Sequence, residues 1–189
     1  MTRIGIILGS TRPGRNGEAV ARWVHSLASR RDDAEYELMD LAEQALPHLD
    51  EPIPPMAGMY SHPHTQAWAE RIDRLDGFVF VTPEYNHSVP GALKNAIDFL
   101  FAEWGNKAAG FVGYGPVGAT RAVEHLRLIL AELRVATVRT QVALTFATDF
   151  ADRTTFRPGE ESPALVDLLL DEVVSWSQAL EPVRRKASA

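Results

Sequence analysis

Residues 3–17 read RIGIILGSTRPGRNG and indicate both the fold class and the first candidate site. The run Ile4–Leu8 is apolar and rich in branched side chains, which is typical of a strand buried on both faces. Glycines, hydroxyls and two arginines follow it, and Asn16 and Gly17 then open a helix with apolar residues at helical spacing. A strand, a glycine-rich turn and a helix in this order predict an anion-binding loop at the helix N-terminus.

The loop is a near match to a nucleotide-hydrolysing P-loop. Its glycines fit the pattern G-x-x-x-x-G-K-[ST], but Arg15 and Asn16 stand where that pattern has lysine and a magnesium-binding hydroxyl. Phosphoryl transfer is therefore disfavoured. The hydroxyls of Ser10 and Thr11 and the guanidinium groups of Arg12 and Arg15 suit a phosphate that is held and not transferred. An ordinary turn that caps a helix is the alternative.

Composition narrows the classes of protein. The chain has 189 residues, enough for one domain over 1–189, and its net charge of −6 argues against a general nucleic-acid partner. The absence of cysteine excludes thiolate metal sites and thiol nucleophiles. No apolar run has the length of a membrane span or the pattern of a signal peptide, so we expect a cytoplasmic protein. His48, His62 and His64 flank the proline-rich stretch without the spacing of a metal-ligand set, so no metal site is expected.

Strands and helices alternate along the chain, which predicts an α/β fold with a parallel sheet covered on both faces. The proline-rich stretch 42–63 is predicted to lack regular elements. Five strands suggest an open, doubly wound sheet, for which 2-1-3-4-5 is one of the two common orders. The strands are predicted over 3–8, 36–41, 78–81, 108–112 and 137–146, and the helices from 16, over 64–75, 90–104 and 120–134, and around 165–176.

In this strand order the loops after the first and third strands face each other across one crevice, where doubly wound sheets bind ligands. The second of these loops is Pro83–Ser88. Its Tyr85 is suited to lie against a planar ring, and Asn86 to read ring edges. The alternative is a plain connection between strand and helix whose polar side chains satisfy local backbone groups.

Residues 113–118, GYGPVG, match the dinucleotide fingerprint G-x-G-x-x-G as a string. That fingerprint also requires an acidic residue at the end of the next strand, whereas Glu132 falls inside a predicted helix. The glycines are therefore interpreted as a close backbone approach to a ligand that the other two loops hold. A dinucleotide site is the alternative.

The helix predicted over 90–104 is apolar around much of its circumference. Phe99, Phe101 and Trp104 extend its apolar surface beyond one stripe. This pattern favours a helix that contacts a second subunit, and burial in the core of one chain is the alternative.

Three segments together resemble the NADPH-dependent FMN reductase family, the flavodoxin-like group that includes quinone, chromate and azo-dye reductases. They are LGSTRPGRNGEAVARWV, TPEYNHSVPGALKNAIDFL and GYGPVGATRAVEHLR. The resemblance implies that the first loop holds the FMN phosphate, the second borders the isoalloxazine ring, and the third passes along its other side. The residues implied are Ser10, Arg12, Arg15, Asn16, Gly17, Pro83, Glu84, Tyr85, Asn86, Ser88, Gly113, Tyr114, Gly115 and Gly118.

The resemblance also implies an enzyme that passes hydride from NADPH or NADH through bound FMN to quinones, flavins, azo compounds or similar acceptors. One flavin face used in turn by donor and acceptor predicts ping-pong kinetics. No side chain is required as an acid or base for the hydride step, so none is named as catalytic. A homodimer or homotetramer through the 90–104 helix is implied too. A non-enzymatic electron carrier or redox sensor is the alternative.

Overall fold

A computed structural model describes residues 1–187 of the chain. Its main sheet has five strands in the order β2-β1-β3-β4-β5, and every neighbouring pair is parallel. The prediction of a doubly wound sheet in the order 2-1-3-4-5 is confirmed. The strands are β1 Thr2–Leu8, β2 Ala34–Asp40, β3 Gly77–Pro83, β4 Ala108–Gly115 and β5 Ala136–Thr145, with a short hairpin of β6 Phe150–Ala151 and β7 Thr155–Phe156.

Helices cover both faces of the sheet because each buried strand alternates its side chains between two apolar cores. Ile6 and Val79 point into the core that contains α1 and α6, whereas Ile7 and Phe80 point into the core formed with α3, α4 and α5. The helices are α1 Gly17–Ala28, α2 Leu41–Gln44, α3 Pro63–Asp73, α4 Gly91–Asp98, α5 Thr120–Glu132 and α6 Ser162–Ala187.

The structure corrects the predictions for residues 42–63 and for the segment GYGPVG. Residues 42–63 are not free of regular elements, because α2 extends into them and a 3-10 turn forms over Pro55–Ala57. Strand β4 continues to Gly115, so the first three residues of GYGPVG belong to the strand and not to the loop after it.

The single helix predicted over 90–104 is also wrong. Helix α4 ends at Asp98, and a separate 3-10 turn covers Ala102–Trp104. Phe99 and Trp104 are fully buried within the chain, and the Trp104 indole donates a hydrogen bond to the Ile97 carbonyl. Their apolar character therefore comes from the core, and of the three aromatic residues only Phe101 remains partly exposed.

No helix within residues 1–187 is both long enough and apolar enough to cross a membrane. The cytoplasmic location stays a prediction of the sequence.

Candidate functional site

The three loops predicted to form a site meet at the carboxyl edge of the sheet. β1 pairs directly with β3, and the Gly9 amide continues this pairing by donating to the Val81 carbonyl at 2.9 Å. A cleft of about 180 Å³ opens between the loops that follow β1, β3 and β4. It is lined by Arg12, Arg15, Asn16, Pro83, Glu84, Tyr85, Tyr114, Gly115, Pro116 and Phe146.

The N-terminus of α1 is built to receive an anion. No side chain caps it, because the Asn16 side chain donates instead to the Arg153 carbonyl at 2.9 Å. The first amide groups of a helix need partners and carry partial positive charge. Within residues 1–187 the guanidinium of Arg12, which lines the same cleft, makes no ion pair and is exposed. Free amides and a free arginine at one helix end suit a phosphate.

Arg15 has a different role from Arg12. Its guanidinium donates to the Ser10 carbonyl at 2.6 Å and pairs with the carboxylate of Asp40 at the end of β2. Both side chains are largely buried, with 11% and 17% of their surface exposed. These contacts fix the course of the loop, so Arg15 braces the backbone that leads into α1. Its predicted contact with the phosphate stays a prediction.

A hydroxyl pair joins the first two loops. Ser10 is fully buried, and its Oγ lies 2.7 Å from the phenolic oxygen of Tyr85. The Arg12 amide also approaches the Ser10 Oγ, at 3.4 Å. The two loops therefore form one wall of the cleft.

The segment 85–88 is a tight turn. Tyr85 and Ser88 exchange both of their backbone hydrogen bonds, at 2.9 and 3.1 Å, and Asn86 and His87 between them have φ angles of 49° and 71°. Two successive positive φ values are typical of a type I′ turn, in which asparagine is favoured at the first position. The turn projects from the end of β3 and sets Tyr85 at the mouth of the cleft, 36% exposed.

Glu84 ties the second loop to the helix after the third. Its carboxylate accepts from the amides of Arg121 and Ala122, at 3.1 and 3.3 Å, and pairs with the Arg121 guanidinium. Burial alone raises the pKa of Glu84, but the Arg121 charge and these hydrogen bonds outweigh it and lower the pKa below its ordinary value. The carboxylate thus caps α5, and it stays ionised at neutral pH.

Tyr114 contributes a buried hydroxyl with no partner. Its phenolic oxygen is inaccessible to solvent and has no partner in good hydrogen-bonding geometry within residues 1–187, although the Ser10 side chain is close enough to influence its pKa. It packs so closely on α1 that a Cβ at Gly17 would stand 2.3 Å from it. Burial raises the pKa of Tyr114, so the phenol stays protonated and keeps a hydrogen to donate. An unpartnered buried donor is costly and calls for an acceptor that arrives with a ligand.

The glycines of GYGPVG divide into two groups. A Cβ at Gly113 would stand 2.2 Å from the Gly118 carbonyl oxygen, and one at Gly118 would stand 2.7 Å from the Ala143 Cβ. Contacts within the chain therefore explain both glycines without a ligand. Gly115 differs, because its φ is +144°, a Cβ there would meet nothing within 4 Å, and it lines the cleft. The interpretation of a close backbone approach to a ligand applies best to Gly115.

Sequence reasoning missed the wall formed by Phe146 and the loop after β5. Asp149 anchors this loop, because its carboxylate accepts from the amides of Thr145 and Gly159 and from the hydroxyls of Thr148 and Ser162. A buried aspartate just after a strand was an available signal. Asp40 was another, since the order 2-1 brings the ends of β1 and β2 together.

The fold and the cleft define a flavodoxin-like protein with an uncapped helix N-terminus at the topological switch point. The comparisons agree and are more specific. The profile described as NADPH-dependent FMN reductase matches residues 2–149, and the chain belongs to this family.

Relatives bear the same functional description. The chain is 38% identical over 149 residues to an NAD(P)H-dependent FMN reductase of Schizosaccharomyces pombe, which covers 78% of this chain and 74% of that protein. It is 39% identical over 135 residues to a quinone reductase of Escherichia coli K12, with 67% and 68% covered. The flavoenzyme NAD(P)H:(acceptor) oxidoreductase FerB of Paracoccus denitrificans shares the fold, with a TM-score of 0.73, 24% identity and 95% and 98% of the two chains covered.

Family membership confirms the prediction of an enzyme that uses FMN and a nicotinamide nucleotide. The residues present fit FMN, since the uncapped helix end, Arg12 and the unpartnered Tyr114 hydroxyl provide donors for its phosphate end. The exposed Tyr85 ring and the side-chain-free Gly115 leave room for a planar ring system. The assignment of individual residues to FMN stays a prediction.

Proposed function

We propose that this chain transfers hydride from NADPH or NADH to quinones and similar acceptors by way of bound FMN. One observation carries the proposal. A single cleft joins the anion-binding end of α1 to the Tyr85 turn and to Gly115, so phosphate and ring have separate, contiguous places. The quinone reductase of E. coli supports the choice of a quinone as acceptor.

The residues of the protein bind and orient the flavin. The Arg12 guanidinium and the first amides of α1 hold the phosphate, while Arg15 and Asp40 keep the loop in its binding shape. Tyr85 and Gly115 border the ring, and FMN supplies the hydride chemistry when bound. The exposed mouth beside Tyr85 leaves one face of the ring open to donor and acceptor in turn.

Steady-state kinetics test this function. With FMN-loaded protein, NADPH and benzoquinone are varied against each other, and a shared site predicts a family of parallel double-reciprocal lines. Lines that intersect contradict the shared site. Protein that binds FMN but does not oxidise NADPH contradicts the proposed enzyme and supports the electron carrier.

We also propose that the enzyme assembles as a homodimer or homotetramer. An apolar groove of about 450 Å³ runs along the ends of α4 and α5 beside the 3-10 turn at Pro55–Ala57. Phe101 and Ile129 line it, as does Met56, whose surface is 67% exposed. Exposed apolar surface at a groove of this kind favours contact with a second subunit. Phe99 and Trp104, which are core residues, take no part in it.

A further inference from the structure

A histidine and a serine form a hydrogen-bonded pair beside the cleft. The Nδ1 atom of His125 on α5 lies 2.9 Å from the Oγ atom of Ser88. A second imidazole, that of His87, has its ring centroid 6.1 Å from that of His125. Neither Ser88 nor His125 is among the residues that line the cleft, and the proposed hydride transfer does not involve them.

Two rigid connections fix the pair relative to the cleft. Tyr85 and Ser88 are directly opposite in the turn, and a pair that exchanges both backbone hydrogen bonds has its Cα atoms about 5.5 Å apart. On the other side, Glu84 binds the first amides of α5, the helix that carries His125 one turn later. Ser88 is therefore held about 5.5 Å, Cα to Cα, from Tyr85, which lines the cleft.

We infer that Ser88 and His125 deliver the proton that a quinone needs when it is reduced, an inference that rests on the proposed function. A quinone becomes a hydroquinone by taking up one hydride and one proton. The hydride brings both electrons, and the Ser88 hydroxyl gives its proton to the acceptor oxygen, forming the new O–H bond. The Nδ1–H of the His125 imidazolium restores the Ser88 hydroxyl and leaves neutral imidazole, which regains its proton from solvent.

The surroundings of the pair suit this role. His125 is exposed, so its ring exchanges protons with solvent. The charged and titratable groups around it are Arg121 and Glu124 on α5, and Glu84 and His87 on the facing loop. Arg121 is already paired with Glu84, and His125 is the imidazole at this rim that is hydrogen-bonded to Ser88. Ser88 touches the acceptor in this scheme, and His125 is a positioning residue that acts through it.

Comparing two electron acceptors, one that needs a proton and one that does not, distinguishes proton delivery from the other steps of the reaction. Ferricyanide takes one electron and no proton, whereas benzoquinone requires a proton for each hydride. His125→Gln keeps a polar side chain of similar size but cannot supply the proton. His64→Gln is the matched control, because His64 is another partly exposed histidine, bonded to Asp50 and outside the cleft.

In the experiment, FMN-loaded protein is reduced with dithionite and mixed with benzoquinone or ferricyanide in a stopped-flow instrument. A general acid typically contributes about 10²–10⁴-fold, and for an exposed donor we expect at least a tenfold loss with benzoquinone in His125→Gln. Oxidation by ferricyanide should stay within about twofold of the wild type, and added imidazole should restore the benzoquinone rate. His64→Gln should match the wild type with both acceptors, and Ser88→Ala should lose the benzoquinone rate without rescue by imidazole.

A second readout needs no turnover. The pKa of His125, measured by NMR in the FMN-free protein, should coincide with the pKa of the benzoquinone pH profile, which His125→Gln should abolish. Equal losses with the two acceptors, no loss with benzoquinone, or a pH profile that His125→Gln leaves unchanged would overturn the inference. Because dithionite replaces NADPH, failure of the proposed function appears separately, as wild-type flavin that NADPH does not reduce.

Discussion

Arg12→Ala and Arg15→Ala, the two arginine substitutions in the first loop, should differ in their effects on FMN binding and on stability. Arg12 makes no ion pair within residues 1–187, so Arg12→Ala should change the stability of the FMN-free protein by less than about 0.5 kcal/mol. Loss of one charge-assisted hydrogen bond to a phosphate costs about 1.5–3 kcal/mol. Since 1.4 kcal/mol is a factor of ten, FMN should bind about 10- to 150-fold more weakly.

Arg15→Ala should behave in the opposite way. It leaves the Asp40 carboxylate, 17% exposed, with the Ala42 amide but without its ion-pair partner, and it removes the donor to the Ser10 carbonyl. Breaking hydrogen bonds to a partly buried charged group costs about 1.5–3 kcal/mol of unfolding free energy. Because the loop itself loses its shape, the affinities for FMN and for riboflavin should fall together.

Fluorescence titration with FMN and with riboflavin, combined with urea denaturation, measures all these quantities. Riboflavin lacks the phosphate, so it should bind Arg12→Ala and the wild type equally well. Arg22→Ala, which removes an exposed arginine paired with Glu18 on the same helix, is the control for a general loss of positive charge. Full FMN affinity in Arg12→Ala, or equal losses for FMN and riboflavin, would show that the phosphate lies elsewhere.

Three further predictions use other parts of the structure. Tyr114→Phe removes a buried hydroxyl without a partner, so urea melts should show the FMN-free protein unchanged or stabilised while FMN affinity falls; a loss of stability would mean that the hydroxyl has a partner. Gly118→Ala should destabilise the fold, because its Cβ would meet Ala143, whereas Gly115→Ala should weaken FMN binding more than it lowers the melting temperature; the reverse ranking contradicts this assignment. Burial lowers the pKa of Lys107 to about 8, so between pH 8 and 10.5 the unfolded chain holds one more proton than the folded chain. The unfolding free energy should therefore rise with pH over this range in the wild type but not in Lys107→Met. Equal slopes in the two proteins would refute this account of Lys107.

The sheet was predictable because its determinants are local. Buried strands that alternate with amphipathic helices leave few topologies, and the two polar loops at neighbouring strand ends indicated the site. The end of α4 was not predictable in the same way. Apolar residues continue from Ile97 to Trp104 at helical spacing, yet the backbone leaves the helix after Asp98, with φ −134° and ψ −66° at Phe101. Trp104 keeps the apolar pattern because it is buried from a 3-10 turn.

The different roles of the site residues could not be predicted from the sequence either. Arg12 and Arg15 are of the same residue type in the same loop, and the contacts of Arg15 with the Ser10 carbonyl and with Asp40, 25 positions away, distinguish them. Glu84, predicted to border the ring, lines the cleft and also caps α5 through partners 37 and 38 positions away. Pairings of this kind depend on which loops the fold brings together, and local patterns do not encode them.

The most direct test of the central claim is the visible absorption of the FMN-loaded protein after anaerobic addition of NADPH or NADH. An FMN-dependent oxidoreductase should lose its flavin absorbance within seconds, and benzoquinone should restore it while oxidising one equivalent of bound flavin. A protein that binds FMN through this cleft but stays yellow with both nucleotides would contradict the account.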